Sequence, residues 1–174
     1  MKGLIHIYCG EGKGKTTAAM GLAIRAIGNG KRVFIIQFIK GGPTGELKVL
    51  LQQPNVTILR SKEGTPFIFH MTEEQKREIT VYQNRQLEQA IHHAANGHCD
   101  LLILDEIMAV YNNNLINKEK LKQFIANKPE KLELVLTGRD PDEYMIQAAD
   151  YVTEMKKIKH PFDRGIPARL GVEW

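Results

Sequence analysis

The chain has 174 residues, of which 43% are apolar and 25% charged, and it carries a net charge of +4. That length suits one domain with a proper core, and the mild positive charge suits anionic ligands such as nucleotides while giving no footprint for nucleic acid. Cys9 and Cys99 are the two cysteines; without C-x-x-C or a Cys/His cluster they argue against a zinc site or a disulfide framework and fit a reducing compartment. No apolar run approaches the ~20 residues of a membrane span, and Gly3–Cys9 is too short and too polar for a signal peptide. A cytoplasmic protein with no membrane partner is expected.

Strand and helix signals alternate along the chain. Leu4–Cys9 reads as a first strand and Thr17–Ile27 as a first helix, stopped by Gly28-Asn29-Gly30. Val33–Phe38 is a near-continuous apolar strand, as in a buried parallel sheet. A glycine-rich loop from Lys40 to Gly45 leads into a short helix near Glu46–Gln52, then a strand at Val56–Leu59. Arg60–Met71 reads as irregular. Thr72-Glu73-Glu74-Gln75 is a capping box that opens a long helix to about Asn96. Its Leu87, Ala90, Ile91 and Ala94 recur at helical spacing. Leu101–Leu104 is a buried strand ending in Asp105-Glu106, and a helix follows around Lys118–Ala126. Leu132–Leu136 is a strand. Asp140-Pro141-Asp142-Glu143 caps the next helix, with proline at its first position, and Tyr151–Met155 is the last strand. The segment from Lys156 to Trp174 is a basic, mostly non-helical arm. Its Phe162, Ile166, Leu170, Val172 and Trp174 interleave with the charges, so it is expected to pack on the body. The pattern implies one α/β domain over 1–174 with a mostly parallel sheet covered on both faces. Its ligands sit at the carboxyl ends of the strands.

Gly10-Glu11-Gly12-Lys13-Gly14-Lys15-Thr16-Thr17 is the most informative stretch. A strand, a glycine-rich turn and a helix start make a phosphate cradle, with backbone N–H groups facing inward and positive potential from the helix end. Lys15 supplies a point charge for phosphate oxygens, and the Thr16 hydroxyl suits Mg²⁺. The pattern departs from G-x-x-x-x-G-K-[ST], because Cys9 stands where the first glycine is usual and Gly10 comes one residue late. Asp105 and Glu106, after an apolar strand, suit a metal-holding role, directly or through water. Either carboxylate can serve, and plain capping is the bland alternative. Gln37 and Lys40, at the end of the second strand, lie over the nucleotide or a second substrate, unless Lys40 is merely solvated. Arg139 either reaches triphosphate oxygens or forms a structural ion pair. Phe67 and Phe69 either line an apolar ligand surface or fold back on the core. His92-His93 is read as a packed or solvated helical pair, since adjacent helical residues face different ways.

Together these residues resemble the ATP:corrinoid adenosyltransferases, acting on cob(I)alamin or cob(I)yrinic acid a,c-diamide. The resemblance runs over nearly the whole chain. It rests on Gly10 to Ala19, Gln37-Phe38-Ile39-Lys40-Gly41, Leu104-Asp105-Glu106, Thr137-Gly138-Arg139, and Ala148-Ala149-Asp150 through Thr153-Glu154-Met155. The tail, Lys159-His160-Pro161-Phe162 and Gly165 to Gly171-Val172-Glu173-Trp174, is its most specific part. It implies a three-layer P-loop NTPase fold of RecA type. It also implies transfer of the 5′-deoxyadenosyl group of ATP to Co(I), with release of triphosphate, in adenosylcobalamin synthesis or salvage. ATP would lie reversed across the loop, its phosphates held by Gly10 to Thr17 and Arg139. Lys15 and Mg²⁺ (or Mn²⁺), the ion held by Thr16, Asp105 and Glu106, would meet charge developing at the α-phosphate end, and Glu106 is counted with Lys15 and Phe69 among the catalytic residues. The resemblance further implies aromatic displacement of the lower axial ligand of cobalt, here assigned to Phe69 with Phe67 beside it. The familiar members carry a Phe and a Trp in that loop. A reductant or flavoprotein electron donor and a homodimer are implied as partners. Since the chain starts almost at its first strand, the N-terminal extension that longer members fold over the active site is expected to be absent. A P-loop NTPase or nucleoside kinase is the alternative, and a nucleotide-regulated binding protein the third reading.

Overall fold

The computed structural model describes residues 1–42, 44–66 and 68–173. Six strands form a single sheet in the order β3-β2-β4-β5-β1-β6. They are β1 (Ile5–Cys9), β2 (Val33–Gln37), β3 (Val56–Arg60), β4 (Leu101–Asp105), β5 (Glu133–Thr137) and β6 (Tyr151–Glu154). Every pairing is parallel. The helices between them are α1 (Lys15–Gly28), α2 (Gly45–Leu50), α3 (Glu73–Ala95), α4 (Ile107–Asn112), α5 (Lys118–Ala126) and α6 (Glu143–Ala148).

β2 and β4 are buried along their whole lengths, as the apolar runs require when a sheet is covered on both sides. Alternate residues go to opposite faces. Val33, Ile35, Leu101, Ile103 and Val135 pack with Ala19, Met20 and Ala23 of α1 and Leu50 of α2. Phe34, Ile36, Leu102, Leu104, Leu134 and Leu136 pack with Leu87, Ala90 and Ala94 of α3 and with α4, α5 and Met145 of α6. The result is three layers, α/β/α. Burying each Leu or Ile side chain contributes about 1.5–3 kcal/mol, so this double-sided core fixes the sheet register and with it the positions of the strand ends.

Some local expectations shift. The α6 N-cap is Asp142, whose side chain accepts from Tyr144 N. Pro141 therefore precedes the helix instead of opening it, and Asp140 takes a left-handed turn at φ 50°. α4 starts directly after Glu106, where two acidic residues and a short apolar stretch gave no helix signal. The irregular loop contains a 3-10 turn at Ile68–His70. The capping box at Thr72 and Gln75 forms in both directions. Among the described residues no helix is long and apolar enough to cross a membrane.

The arm leaves Phe162, Leu170 and Val172 more than half exposed. Its contacts with the body include polar ones. Lys13 Nζ donates to Val172 O and to Glu173 Oε1, each at 3.2 Å. Arg169 holds Glu173 through two further bonds from its guanidinium. Trp174 lies outside the described residues.

Candidate active site

Cys9 ends β1, pairs across to Glu154 of β6, and is buried. Position 9 is thus strand and core, and the turn begins only at Gly10. This accounts for the late first glycine. Gly10 and Gly14 sit at φ 99° and 118°, values that non-glycine residues rarely adopt. Gly12 donates its N–H to Met155 O at 2.6 Å. A Cβ on Gly12 would meet that same oxygen at 2.6 Å, so only glycine lets the loop lie against the end of β6. The loop is therefore buttressed by the sixth strand.

Gly14 caps α1 without a side-chain hydrogen bond, and the first turn holds no acidic residue. Its orphan N–H groups and dipole therefore face the loop uncompensated, which is the arrangement that binds phosphate. Lys15 Nζ curls back into the loop, donating to Gly10 O at 2.6 Å and Gly12 O at 2.9 Å. Burial pushes its pKa below the ordinary lysine range, while Glu106 works in the opposite direction.

Asp105 is the centre of the site. It is fully buried at the end of β4 and collects four donors. Thr16 Oγ1 and Thr137 Oγ1 donate to its Oδ1 at 2.9 and 2.6 Å. Lys40 Nζ and Gln37 Nε2 donate to Oδ2 at 2.7 and 3.4 Å. A buried carboxylate without such partners would cost several kcal/mol. Glu106 follows in a left-handed conformation, φ 62°, an uncommon geometry for a glutamate. Its N–H donates to Thr137 Oγ1 at 2.9 Å, and its carboxylate lies 3.8 Å from Lys40 Nζ.

Gln37 is buried and faces inward. Arg60 Nε donates to its Oε1 at 3.0 Å. A guanidinium only donates and a carboxylate only accepts, so the Gln37 amide, which does both, links Arg60 to Asp105. Burial holds the Arg60 pKa below its usual value. The Arg60 carbonyl in turn accepts from Tyr82 and Gln86 of α3 at 2.8 and 2.9 Å. Arg139 pairs with Glu11 of the loop at 2.8 Å, both side chains being mostly exposed.

The structure thus brings Gly10, Gly12, Gly14, Lys15, Thr16, Gln37, Lys40, Asp105 and Glu106 to the carboxyl ends of β1, β2 and β4. Lys13 and Thr17 line a cleft between the loop and the arm, together with His160, Val172 and Glu173. Phe69 stands 93% exposed on the separate β3–α3 loop, so it does not fold back on the core. Phe67 lies outside the described residues. Arg60 was not singled out from the sequence, and Thr137 and Met155 entered only as residues that carry the resemblance, with no role assigned. Thr137 was visible as a threonine ending an apolar strand, but only the β4–β5 pairing makes it a ligand of Asp105.

A glycine-rich loop between β1 and α1, with Asp105 ending a neighbouring strand of a parallel sheet, defines a nucleotide-binding domain of the P-loop NTPase type. The ATPase 2 and 3 segment of EssC from Geobacillus thermodenitrificans has the same fold at TM-score 0.52 and 14% identity, the match covering 98% of this chain and 36% of that one. The model of the family "ATP:corrinoid adenosyltransferase BtuR/CobO/CobP" matches residues 1–174, and the chain belongs to that family. Corrinoid adenosyltransferase from Escherichia coli is 34% identical, covering 99% of this chain and 86% of its own. The corrinoid adenosyltransferase CobA of Salmonella typhimurium is 33% identical over the same shares, 99% and 86%. A relative from Sinorhizobium is 35% identical, covering 99% of this chain and 81% of its own.

Proposed function

We propose that the chain transfers the 5′-deoxyadenosyl group of ATP to the Co(I) centre of a reduced corrinoid and releases inorganic triphosphate. The observation that carries the reading is the uncapped α1 terminus and buttressed glycine loop set beside Thr16, Asp105 and Glu106, in a chain of this family. The cobalt lone pair attacks the ribose C5′, the C5′–O5′ bond breaks, and the triphosphate departs with the bonding pair. Cobalt rises formally from Co(I) to Co(III). The nucleophile carries no proton, so no side chain is needed as general base.

The protein's work is then electrostatic. Lys15 leaves the Gly10 and Gly12 carbonyls for phosphate oxygens and meets the charge developing on the leaving group. Arg139 swings from Glu11 to the triphosphate, with two donors in fork geometry. The oxygen donors Thr16, Asp105 and Glu106 suit Mg²⁺ (or Mn²⁺), which prefers one or two carboxylates plus phosphate to a dedicated protein cage. When bound, the ion neutralises phosphate charge. Phe69, exposed on its loop, presents an aromatic face to the corrinoid's lower side and favours four-coordinate cobalt. An external reductant, such as a flavoprotein, supplies the electron that makes Co(I), and two copies of the chain form the working unit.

Product identity tests the reading. Incubation with Mg·ATP and a chemically reduced corrinoid is expected to give inorganic triphosphate and a light-sensitive Co–C product in equal amounts. ADP with phosphate would overturn it in favour of an ATPase, and ADP with a phosphorylated acceptor in favour of a kinase.

A further inference from the structure

We propose that Lys40 is a tethered cation that holds the metal position of this site and makes divalent metal binding wait for the nucleotide. The inference rests on reading Thr16, Asp105 and Glu106 as the metal-side oxygens. The Lys40 ammonium lies among all three. It is 2.7 Å from Thr16 Oγ1, 2.7 Å from Asp105 Oδ2 and 3.8 Å from Glu106 Oε1. These are hard oxygen donors, and a divalent ion reaching them would meet a positive charge within a few ångströms.

The charge arrangement singles out Lys40. The other donors to Asp105, from Thr16, Thr137 and Gln37, are neutral. Lys15 spends its hydrogen bonds on loop carbonyls. Lys40 is thus the one cation in ion-pair range of either carboxylate among the described residues. While it stays, the carboxylate pair is largely compensated and offers a free ion little. A nucleotide changes that balance, because its phosphates attract both the ammonium and the metal. Lys40 then has an anion to move to, and the metal arrives with its own ligands.

The backbone on either side fits a side chain that is held and can be released. Ile39, just before Lys40, has φ 53°, a strained conformation for a β-branched residue. Gly41, just after it, lies so close to the β3–α3 loop that a Cβ would sit 2.3 Å from Lys62 O. Phe38 N is tied to Asp105 O at 3.0 Å. The segment is pinned at both ends, and four methylenes let the ammonium leave while the backbone stays.

Manganese is a suitable probe, because the electron paramagnetic resonance signal of the free ion reports binding directly. The assay uses the whole chain with no corrinoid. Wild-type protein is expected to bind Mn²⁺ weakly alone and tightly with ATP. Lys40→Met is expected to bind Mn²⁺ without nucleotide about 10- to 10³-fold more tightly than wild type, the effect of removing one like charge at this range. Adding Asp105→Asn to Lys40→Met should abolish the gain. The melting temperature of Lys40→Met should rise with Mn²⁺ alone, a response that wild type lacks. If Lys40→Met does not fold, Lys40→Gln replaces the charge with a neutral hydrogen-bonding group and carries the same expectation. Equal nucleotide-free affinity in wild type and the folded variants would overturn the proposal. So would tight Mn²⁺ binding by wild type alone. A variant that gains metal affinity in a protein releasing no triphosphate would defeat the transfer reading and leave this one standing. Normal transfer with unchanged metal affinity would do the reverse.

Discussion

The two loops that flank the site are built in opposite ways. The phosphate loop runs between buried β1 and α1, rests on the Met155 carbonyl, and faces a carboxylate with four donors. The β3–α3 loop is anchored at its ends, where Gln83 holds Ser61 at 2.8 Å and Met71 is buried. Between them it carries a cleft of about 210 Å³ lined by Lys62, Gly64, Pro66, Met71, Gln75 and Tyr82, and it leaves Phe69 in solvent. The nucleotide side is thus preorganised by the sheet, where strand positions are fixed by a double-sided core. The loop proposed for the corrinoid side leaves Phe69 exposed, so a role for that ring and its contribution to stability are separable.

That contrast can be broken most sharply at Lys15. Lys15→Ala is expected to lower turnover by about 10²–10³, the scale for losing one electrostatic contact to a transition state. Near wild-type turnover at saturating ATP and corrinoid would refute its role. Asp105→Ala comes next. It strips a buried carboxylate from Lys40, Thr16, Thr137 and Gln37, and should destabilise the fold by about 3 kcal/mol, the low end for breaking a buried pair because Lys40 can turn toward water. Chemical denaturation measures this, and a loss below about 1 kcal/mol would show that the network is not structural.

Phe69→Ala should do the opposite. Its denaturation midpoint should stay within about 0.5 kcal/mol of wild type, as for exposed positions. Its reaction starting from Co(II) should fall more than its ATP affinity, and parallel loss of both would contradict the assignment. The smallest effect concerns the arm. Hydrogen bonding from Arg169 holds the Glu173 carboxyl down to about 2. A depressed carboxylate contributes above its ordinary range and loses that contribution only as pH falls through the folded value. The hydrogen-exchange protection factors of the 169–173 turn, corrected for the intrinsic pH dependence of amide exchange, should therefore change little between neutral pH and about 4. Loosening within that window would show that the Arg169 contact is not kept in solution.

Much of this was legible in the chain. The alternating apolar runs announced a layered α/β sheet, because burial on both faces requires strands without polar alternation. The glycines at 10, 12 and 14 announced a turn that side chains would obstruct, and the structure has Gly10 and Gly14 at positive φ and Gly12 against Met155. The capping box at Thr72 and the helix end near Asn96 were local chemistry and were read correctly. Pro141 misled, because proline tolerates the position before an N-cap as well as the first helical turn. Cys9 stands where the usual pattern has its first glycine; it was read as the end of the first strand, and the β1–β6 pairing bears that out.

What the sequence by itself determined, then, was which residues carry the chemistry proposed for phosphate and metal, since that follows from side-chain type and local turn geometry. The tertiary structure decided which of them meet. Gln37, Asp105 and Thr137 end three strands and Lys40 follows the first of them, separated by up to a hundred residues along the chain, and they converge only because parallel pairing fixes the order β2-β4-β5. Such pairing is set by non-local burial, which no local pattern around any one of those residues records.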